Sequence, residues 1–546
     1  MNIHMKKQLI TLSFALGSFA LLQAQVGQPF QGSFPSDLSI GHTWNRSLVK
    51  KAGQVLGAQM SQEKQTKVTY PNLSVIQPGQ RDYLPFYGES PYLVAETGVE
   101  MVKGLQNNGQ LKATLCIALE EEKATYVSPY KRVLTEAKAE GGVQTVKEGF
   151  KITSSQIQCR PSAAPSAASG IPSVTSSSEL SFASVDTPQN ESMSASSDMP
   201  SVTLPHESSF PSVNTPQSES TSAPSDMPST TLSYESSFAS VGTPQSESMS
   251  ASSKEIPETE RLKDFQKTAL QVAHESIVLL KNAGGTLPLD TLVTQTIALY
   301  GDENLTTPML PALKSKLNAQ SQVFILPKTL EGINNADLII ALIGDEINER
   351  SLQPIMASGK PVVLTLLNSH PVSLKNTSPY LPAILEAWHP GEQGPEAIAN
   401  VLTGAYNPGG KLTVSFPEFP VGHGLSYTTF RYTDLKLEPQ HITTEQSVAV
   451  SFKVTNVGTR TGGEVVQVYL TDESASVPLL SPKLEAFKRT NIKPGETKEV
   501  KFTIRRRNME LLNANGEWVI EPGRFHVHVG ASSEDIRLNG SFEVTR

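Results

Sequence analysis

From Arg160 to Lys254 the chain is dominated by Ser, Thr and Pro with scattered acids. This stretch limits every fold the chain can adopt. Its only aromatic residues are Phe182, Phe210, Tyr234 and Phe238. So little apolar surface cannot offset the conformational entropy that ordering would remove. The stretch also repeats: SFASVDTPQNESMSASSDMPS from Ser181, SFPSVNTPQSESTSAPSDMPS from Ser209 and SFASVGTPQSESMSASS from Ser237 recur every 28 residues. A solenoid unit needs an apolar face on which its neighbours stack, and these units have almost none. Duplication within a disordered linker is the reading that fits, and as a coil it would span roughly 50 Å. Folded structure is therefore expected on either side, over 26–158 and 256–546.

The linker explains why hydrophobic and charged residues stand at 38% and 18%, both low for a wholly globular chain. A net charge of −8 does not suit a nucleic-acid surface. At the start, Lys6 and Lys7 precede a mostly apolar run from Leu9 to Leu22, and Ala20 and Ala24 offer small residues for cleavage. That pattern is a signal peptide over 1–24, so export to the periplasm or beyond is expected. The run is too short to span a bilayer, and no later run of about 20 apolar residues follows. The two cysteines, Cys116 and Cys159, are expected to form no structural bridge, since Cys159 borders the linker.

Ahead of the linker, Leu48, Val49, Ala52, Val55 and Leu56 recur at helical spacing, as do Val99, Val102 and Leu105. Val68-Thr69-Tyr70 and Leu73-Ser74-Val75 are strand candidates. Beyond it, Leu262, Phe265, Ala269, Val272 and Ser276 trace a helix. Ile297–Tyr300, Val323–Leu326, Leu338–Ile343 and Val362–Leu367 are buried-strand runs, with helices expected at Met309–Leu317 and Ala397–Leu402. Such alternation favours a mostly parallel sheet covered by helices. From about Leu435 the pattern becomes strict alternation, as in Val448, Val450, Phe452 and Val454, or Val500, Phe502 and Ile504. Turns are expected at Pro494-Gly495, Asn515-Gly516 and Pro522-Gly523. This is the pattern of a small β-sandwich. In its late strand, Phe525, Val527 and Val529 should face inward and His526 and His528 outward.

Several ordered segments resemble the family 3 glycoside hydrolases, which include β-glucosidases and β-xylosidases. LPAILEAWHPGEQGPEAIANVLTGAYNPGGKLTVSFP at 381–417 resembles the signature of that family's second domain. AHESIVLLKNAGGTLPL at 273–289 and GKPVVLTLLNSHPVSL at 359–374 resemble its opening and one of its strands. GHGLSYTTFRYTDLKL at 422–437 is similar to the entry into the fibronectin type III-like domain. FPSDLSIGHTWNRSLVKKAGQVLG at 34–57 and GESPYLVAETGVEMVKGLQNNG at 88–109 resemble middle repeats of the catalytic (β/α)8 barrel, of which about three units are recognisable. The resemblance implies a multidomain α/β chain: a leader at 1–24, an incomplete barrel fragment at 26–158, and the linker at 160–254. An α/β domain at 256–430 and a fibronectin type III-like β-sandwich at 431–546 complete it.

Retaining glycosidases use two carboxyl groups about 5 Å apart, a nucleophile and an acid/base. The resemblance implies an Asp nucleophile on a late barrel strand, followed by Trp. Here the repeats occupy that region, and none of Trp44, Trp388 and Trp518 follows an Asp. Asp186 and Asp198 are read as solvated linker acids. The sugar-holding Asp of the family falls on Ser74, a nearby Arg on Gln77, and a Lys-His pair on Cys116-Ile117, removing groups that would pair with hydroxyls. The acid/base loop reads Gly344-Asp345-Glu346-Ile347-Asn348-Glu349-Arg350 and is short. Glu346 and Glu349 are the candidate acid/base remnants; as helix-start acids they are equally explained. No residue is assigned to substrate binding.

No metal or cofactor is expected: His526 and His528 share a strand face without an evident third ligand, and no phosphate loop or nucleophile elbow appears. His370, His389 and His423 are read as surface or packing residues. The expectation is an exported family 3 homologue without hydrolytic activity, with carbohydrate as the ligand class. An active hydrolase of β-glucosides or β-xylosides, and a surface binding or structural module, are the alternatives.

Overall fold

A computed structural model describes residues 34–116 and 257–546, apart from 74–75, 77–82, 85, 108–110, 346–348 and 478–481. The expected leader at 1–24, residues 117–158 and the repeats at 160–254 lie outside the described residues. The described residues on both sides of the repeats pack as one compact unit.

The N-terminal segment contributes helices α1 (Asp37–His42), α2 (Arg46–Gln62) and α3 (Pro91–Leu105), and strands β1 (Lys67–Asn72) and β2 (Lys112–Cys116). Ser36, Asn45 and Ser90 cap the three helices through their side chains, replacing partners that the first turn lacks. β1 and β2 pair in parallel, with Lys67 opposite Lys112. Leu73 is buried but falls just beyond β1. Val49, Ala52 and Leu56 pack with Val94, Met101, Val102 and Leu105 in one core. α2 and α3 cross closely because glycines line the contact. A Cβ on Gly104 would lie 2.2 Å from the Lys50 carbonyl oxygen, and one on Gly53 would lie 2.5 Å from that of Met101.

Helix α4 (Glu258–Ser276) resumes the chain. Phe265, Ala269 and Val272 enter the core of the N-terminal segment, where Phe265 meets Phe34 edge-on at 5.3 Å. Leu262 was expected on this stripe but is exposed; the buried face begins one turn later, where Phe34 provides a partner. Six strands follow: β3 (Val278–Asn282), β4 (Thr296–Gly301), β5 (Gln322–Ile325), β6 (Leu338–Ile343), β7 (Val362–Leu366) and β8 (Ala383–Glu386). They form one sheet in the order β3-β8-β7-β6-β4-β5. All neighbours are parallel except the β3–β8 edge pair. Helices α5 (Glu303–Lys314), α6 (Glu349–Met356) and α7 (Gly394–Leu402) connect and cover the strands. α5 begins well before the expected Met309, with Pro308 and Pro311 inside it. The Asp302 carbonyl accepts from the N–H groups of Leu305 and Thr306 and so starts the helix upstream of both prolines.

The C-terminal β-sandwich has a five-stranded sheet, β10-β18-β17-β12-β13, facing a three-stranded one, β14-β11-β9. Its strands are β9 (Phe430–Glu438), β10 (His441–Thr443), β11 (Val448–Asn456), β12 (Gly462–Asp472), β13 (Lys483–Ile492), β14 (Thr497–Ile504), β17 (Gly523–Gly530) and β18 (Ile536–Thr545). The short pair β15 (Leu511–Leu512) and β16 (Trp518–Val519) lies between β14 and β17 in sequence, after helix α8 (Arg506–Met509). Phe525, Val527 and Val529 are buried while His526 and His528 lie on the other face of β17. Phe502 is only half-buried, unlike its neighbours Val500 and Ile504. Gly495 and Gly516 turn the chain in the left-handed region. Pro522-Gly523 makes no such turn, because Gly523 already begins β17.

The α2–α3 crossing gives a direct test. Ala is a better helix former than Gly by about 1 kcal/mol, but at Gly104 its methyl would strike backbone. Gly104→Ala is expected to lower stability by about 1–3 kcal/mol, read from the chemical-denaturation midpoint. An unchanged or raised midpoint would contradict so close an approach.

Candidate functional site

In open sheets with parallel strands, ligands meet the protein outside the carboxyl ends of the strands. Here the ends of β6, β7 and β8 gather Asp345, Asn368, Ser369, His370, Glu386, Trp388 and His389. Asp345 follows the last apolar residues of β6. Its Oδ1 accepts from the Ser369 N–H at 2.5 Å and from Ser369 Oγ at 2.8 Å, with His370 Nδ1 at 3.5 Å. At the end of β8, Glu386 Oε1 accepts from the Trp388 N–H at 2.8 Å. Trp388 takes a left-handed conformation at φ 54°, a strained state for a bulky residue.

Burial sets the chemistry of this edge. Glu386 is fully buried, and loss of water pushes its carboxyl well above the usual range, since burial disfavours the charged form. Burial likewise lowers His389 to about 4, against a smaller opposing effect of Asp345. Burial thus favours the neutral form of both side chains. Among the described residues, Glu386 Oε2, Trp388 Nε1 and both ring nitrogens of His389 have no hydrogen-bond partner, an unusual concentration for buried polar atoms.

The N-terminal segment covers this edge. The Ser36 N–H and Ser39 Oγ donate to the His389 carbonyl at 3.0 and 3.1 Å. The Tyr83 N–H donates to the Ser369 carbonyl at 3.0 Å. Within the segment, Tyr70 donates to the buried Asp37 carboxylate at 2.5 Å, and Tyr87 donates to Tyr70 at 3.2 Å. Burial raises Asp37 to about 7 in spite of these bonds.

The residues singled out in the sequence meet this edge only in part. Glu349 opens α6, while Glu346, Ser74, Gln77, Ile117 and Cys159 lie outside the described residues. Cys116 is the last residue of β2, opposite Asn72 in register. His370 is partly exposed beside Asp345. His389 is buried as packing, and His423 contacts the Leu280 carbonyl at 2.9 Å. His526 pairs with Glu473 at 3.1 Å and His528 with Asn539 at 2.7 Å. Among the described residues, no three His, Cys, Asp or Glu side chains are grouped to hold a metal. No described helix is long and apolar enough to cross a membrane. Sequence reasoning missed Glu386 and Asp37. The available signal was an acid closing the apolar run Ala383-Ile384-Leu385.

With this geometry in hand, comparison with known proteins is decisive. The glycosyl hydrolase family 3 C-terminal domain matches residues 340–455, and the fibronectin type III-like domain matches 464–533. Residues 340–455 are thus similar to the C-terminal domain of family 3 glycosyl hydrolases. The chain is 30% identical over 353 residues to a beta-xylosidase of Formosa agariphila, covering 50% of this chain and 49% of that protein. It is 28% identical to a periplasmic beta-glucosidase of Salmonella typhimurium, covering 51% and 50%. The chain thus spans about half the length of the curated relatives it matches. Among solved structures, a beta-glucosidase from Listeria innocua in complex with isofagomine superposes with a TM-score of 0.64 at 17% identity. That match covers 95% of this chain and 88% of the other. A beta-glucosidase 3B from Thermotoga neapolitana gives 0.61 at 18% identity, covering 94% and 88%. These two likenesses concern the fold.

The raised carboxyl of Glu386 makes stability depend on pH with a defined sign. The unfolded side chain ionises above its ordinary value of 4.5 while the folded one stays neutral. Its contribution is present at low pH and is lost as pH rises beyond that value. Glu386→Gln keeps an acceptor for the Trp388 N–H and cannot ionise. The stabilities of wild type and variant are therefore expected to diverge in favour of Gln as pH rises above 4.5, by up to about 1.4 kcal/mol per pH unit. Denaturant titrations at several pH values measure this. Parallel pH profiles would contradict it.

Proposed function

We propose that this chain is an exported family 3 homologue that engages carbohydrate without hydrolysing glycosides. One observation carries the reading. By the resemblance, the barrel strand bearing the nucleophilic Asp falls where the Ser/Thr/Pro repeats of 160–254 stand. Asp186 and Asp198 lie in that stretch, which has too few apolar residues to build a pocket around them. Retaining hydrolysis needs two carboxyl groups at a fixed separation, so an acid at Glu346 or Glu349 has no nucleophile to serve. The positions that hold sugar hydroxyls read Ser74 and Cys116-Ile117, which weakens binding of ground state and transition state alike. Meanwhile the strands, helices and glycine turns of the two C-terminal domains are retained. Function resides in a site rather than in a fold, and this pattern is that of a kept scaffold. The leader at 1–24 supports a periplasmic or extracellular location.

Assays of the purified chain on aryl β-glucosides and β-xylosides are expected to show no turnover above background. Background should be unchanged when Glu346→Gln and Glu349→Gln are combined. Turnover abolished by either substitution would identify a working acid and overturn the reading. Isothermal titration with cellobiose and xylobiose tests the binding half: heat of saturable binding supports it, and its absence with both sugars leaves an inert scaffold.

A further inference from the structure

The N-terminal segment is pinned to the α/β domain through a histidine whose surroundings admit only its neutral form. His42 ends α1 and is fully buried. Its Nδ1 lies 2.7 Å from the Leu38 carbonyl oxygen. A carbonyl only accepts, so Nδ1 carries the hydrogen and Nε2 is left with a lone pair. That lone pair faces the Thr413 N–H at 3.2 Å. Thr413 belongs to the α/β domain, as does Lys411, whose N–H donates to the His42 carbonyl at 3.2 Å. The indole of Trp388 lies against the imidazole at 4.8 Å.

We propose that His42 is an acid-released latch, whose protonation undocks residues 34–105 and uncovers the carboxyl edge around Asp345, Glu386 and His389. A proton on Nε2 would set one N–H against another at Thr413, and the imidazolium would be buried without a counter-charge. The neighbouring groups supply none. On α1, Asp37 accepts from Tyr70, which in turn accepts from Tyr87. From the β8–α7 side come His389 and Glu386, whose neutral form burial favours. From the 411–413 segment comes Lys411, whose ammonium is 2.7 Å from the Gly424 carbonyl and 3.9 Å from Glu464. Burial accordingly lowers His42 from 6.5 to about 3. Asp37 keeps its partners on undocking, because Tyr70 and Tyr87 move with it in the same segment.

Once undocked, the imidazole regains its ordinary affinity for a proton. Each pH unit below 6.5 then favours the open form tenfold, until the buried value is reached. Hydrogen exchange of the full chain, corrected for intrinsic rates, reads the opening equilibrium of peptides covering 36–62 and 411–416. His42→Gln is the comparison, since a glutamine amide accepts the Thr413 N–H at every pH. His389 and Glu386 titrate in both proteins and cancel in the ratio. The ratio of opening constants, wild type over His42→Gln, is expected to rise about fiftyfold between pH 6.5 and 4.5, since the exposed imidazole is already half protonated at 6.5. A ratio that stays flat overturns the latch. Should His42→Gln fail to fold, imidazole nitrogen NMR of the wild-type chain decides. His42 must stay neutral wherever 36–62 remains protected, and a charged His42 in a protected segment overturns the proposal.

Discussion

Four parts of the chain meet at one buried ion pair. Arg489 of β13 and Glu275 of α4 stand 3.1 Å apart, each with less than a tenth of its side chain exposed. Arg489 also donates to the carbonyls of Thr43 and Gly409, at 3.0 and 2.7 Å. Glu275 accepts from Asn45 at 2.8 Å and from Gln271 at 3.0 Å. The N-terminal segment, the helix that follows the repeats, the α/β domain and the β-sandwich thus share one charge-assisted network. Losing either partner would strand the other charge without water, at a cost of about 3–5 kcal/mol. The planar fork of arginine suits three divergent acceptors in a way that lysine cannot. Glycines make the room: a Cβ on Gly409 would lie 2.6 Å from the Gly463 carbonyl and 2.9 Å from the Arg489 guanidinium.

This junction fixes where α1 lies, and α1 fixes what happens at the carboxyl edge of the sheet. Trp44 donates its indole N–H to the Lys411 carbonyl at 2.9 Å, beside the ion pair. The preceding turn then lays Ser36, Ser39 and His42 over the loop at Trp388-His389. The edge that would receive a ligand in an open α/β sheet is closed by the chain's own N-terminal segment.

Much of this was legible in the sequence because it rests on periodicity. The apolar runs of β4, β6 and β7, the alternation in β11 and β17, and the stripe of α2 each report a face that must be buried. The start of α5 was not legible, because prolines at 308 and 311 suggest a break that the Asp302 carbonyl overrides from upstream. Edge strand β3 was missed because its segment resembles a domain opening rather than an isolated strand signal. The ion pair, the Asp37–Tyr70–Tyr87 network and the Thr413 contact of His42 join residues far apart in sequence. Periodicity carries no information about such pairs, so Asp37, Glu386 and His42 were invisible as sites. The proposed loss of catalytic groups, by contrast, rests on motif resemblance alone. Part of it, at Ser74, Cys116-Ile117 and Glu346, concerns side chains for which the fold provides no geometry.

The central proposal is that no covalent glycosyl intermediate forms, because by the resemblance the Ser/Thr/Pro repeats stand where the nucleophilic Asp would fall. The most direct measurement is intact mass spectrometry of the purified chain after prolonged incubation with activated 2-deoxy-2-fluoro glucosides and xylosides, which trap that intermediate on retaining enzymes. The expected spectrum shows the unmodified mass alone. A stoichiometric adduct on a single Asp or Glu would locate a nucleophile and contradict the account.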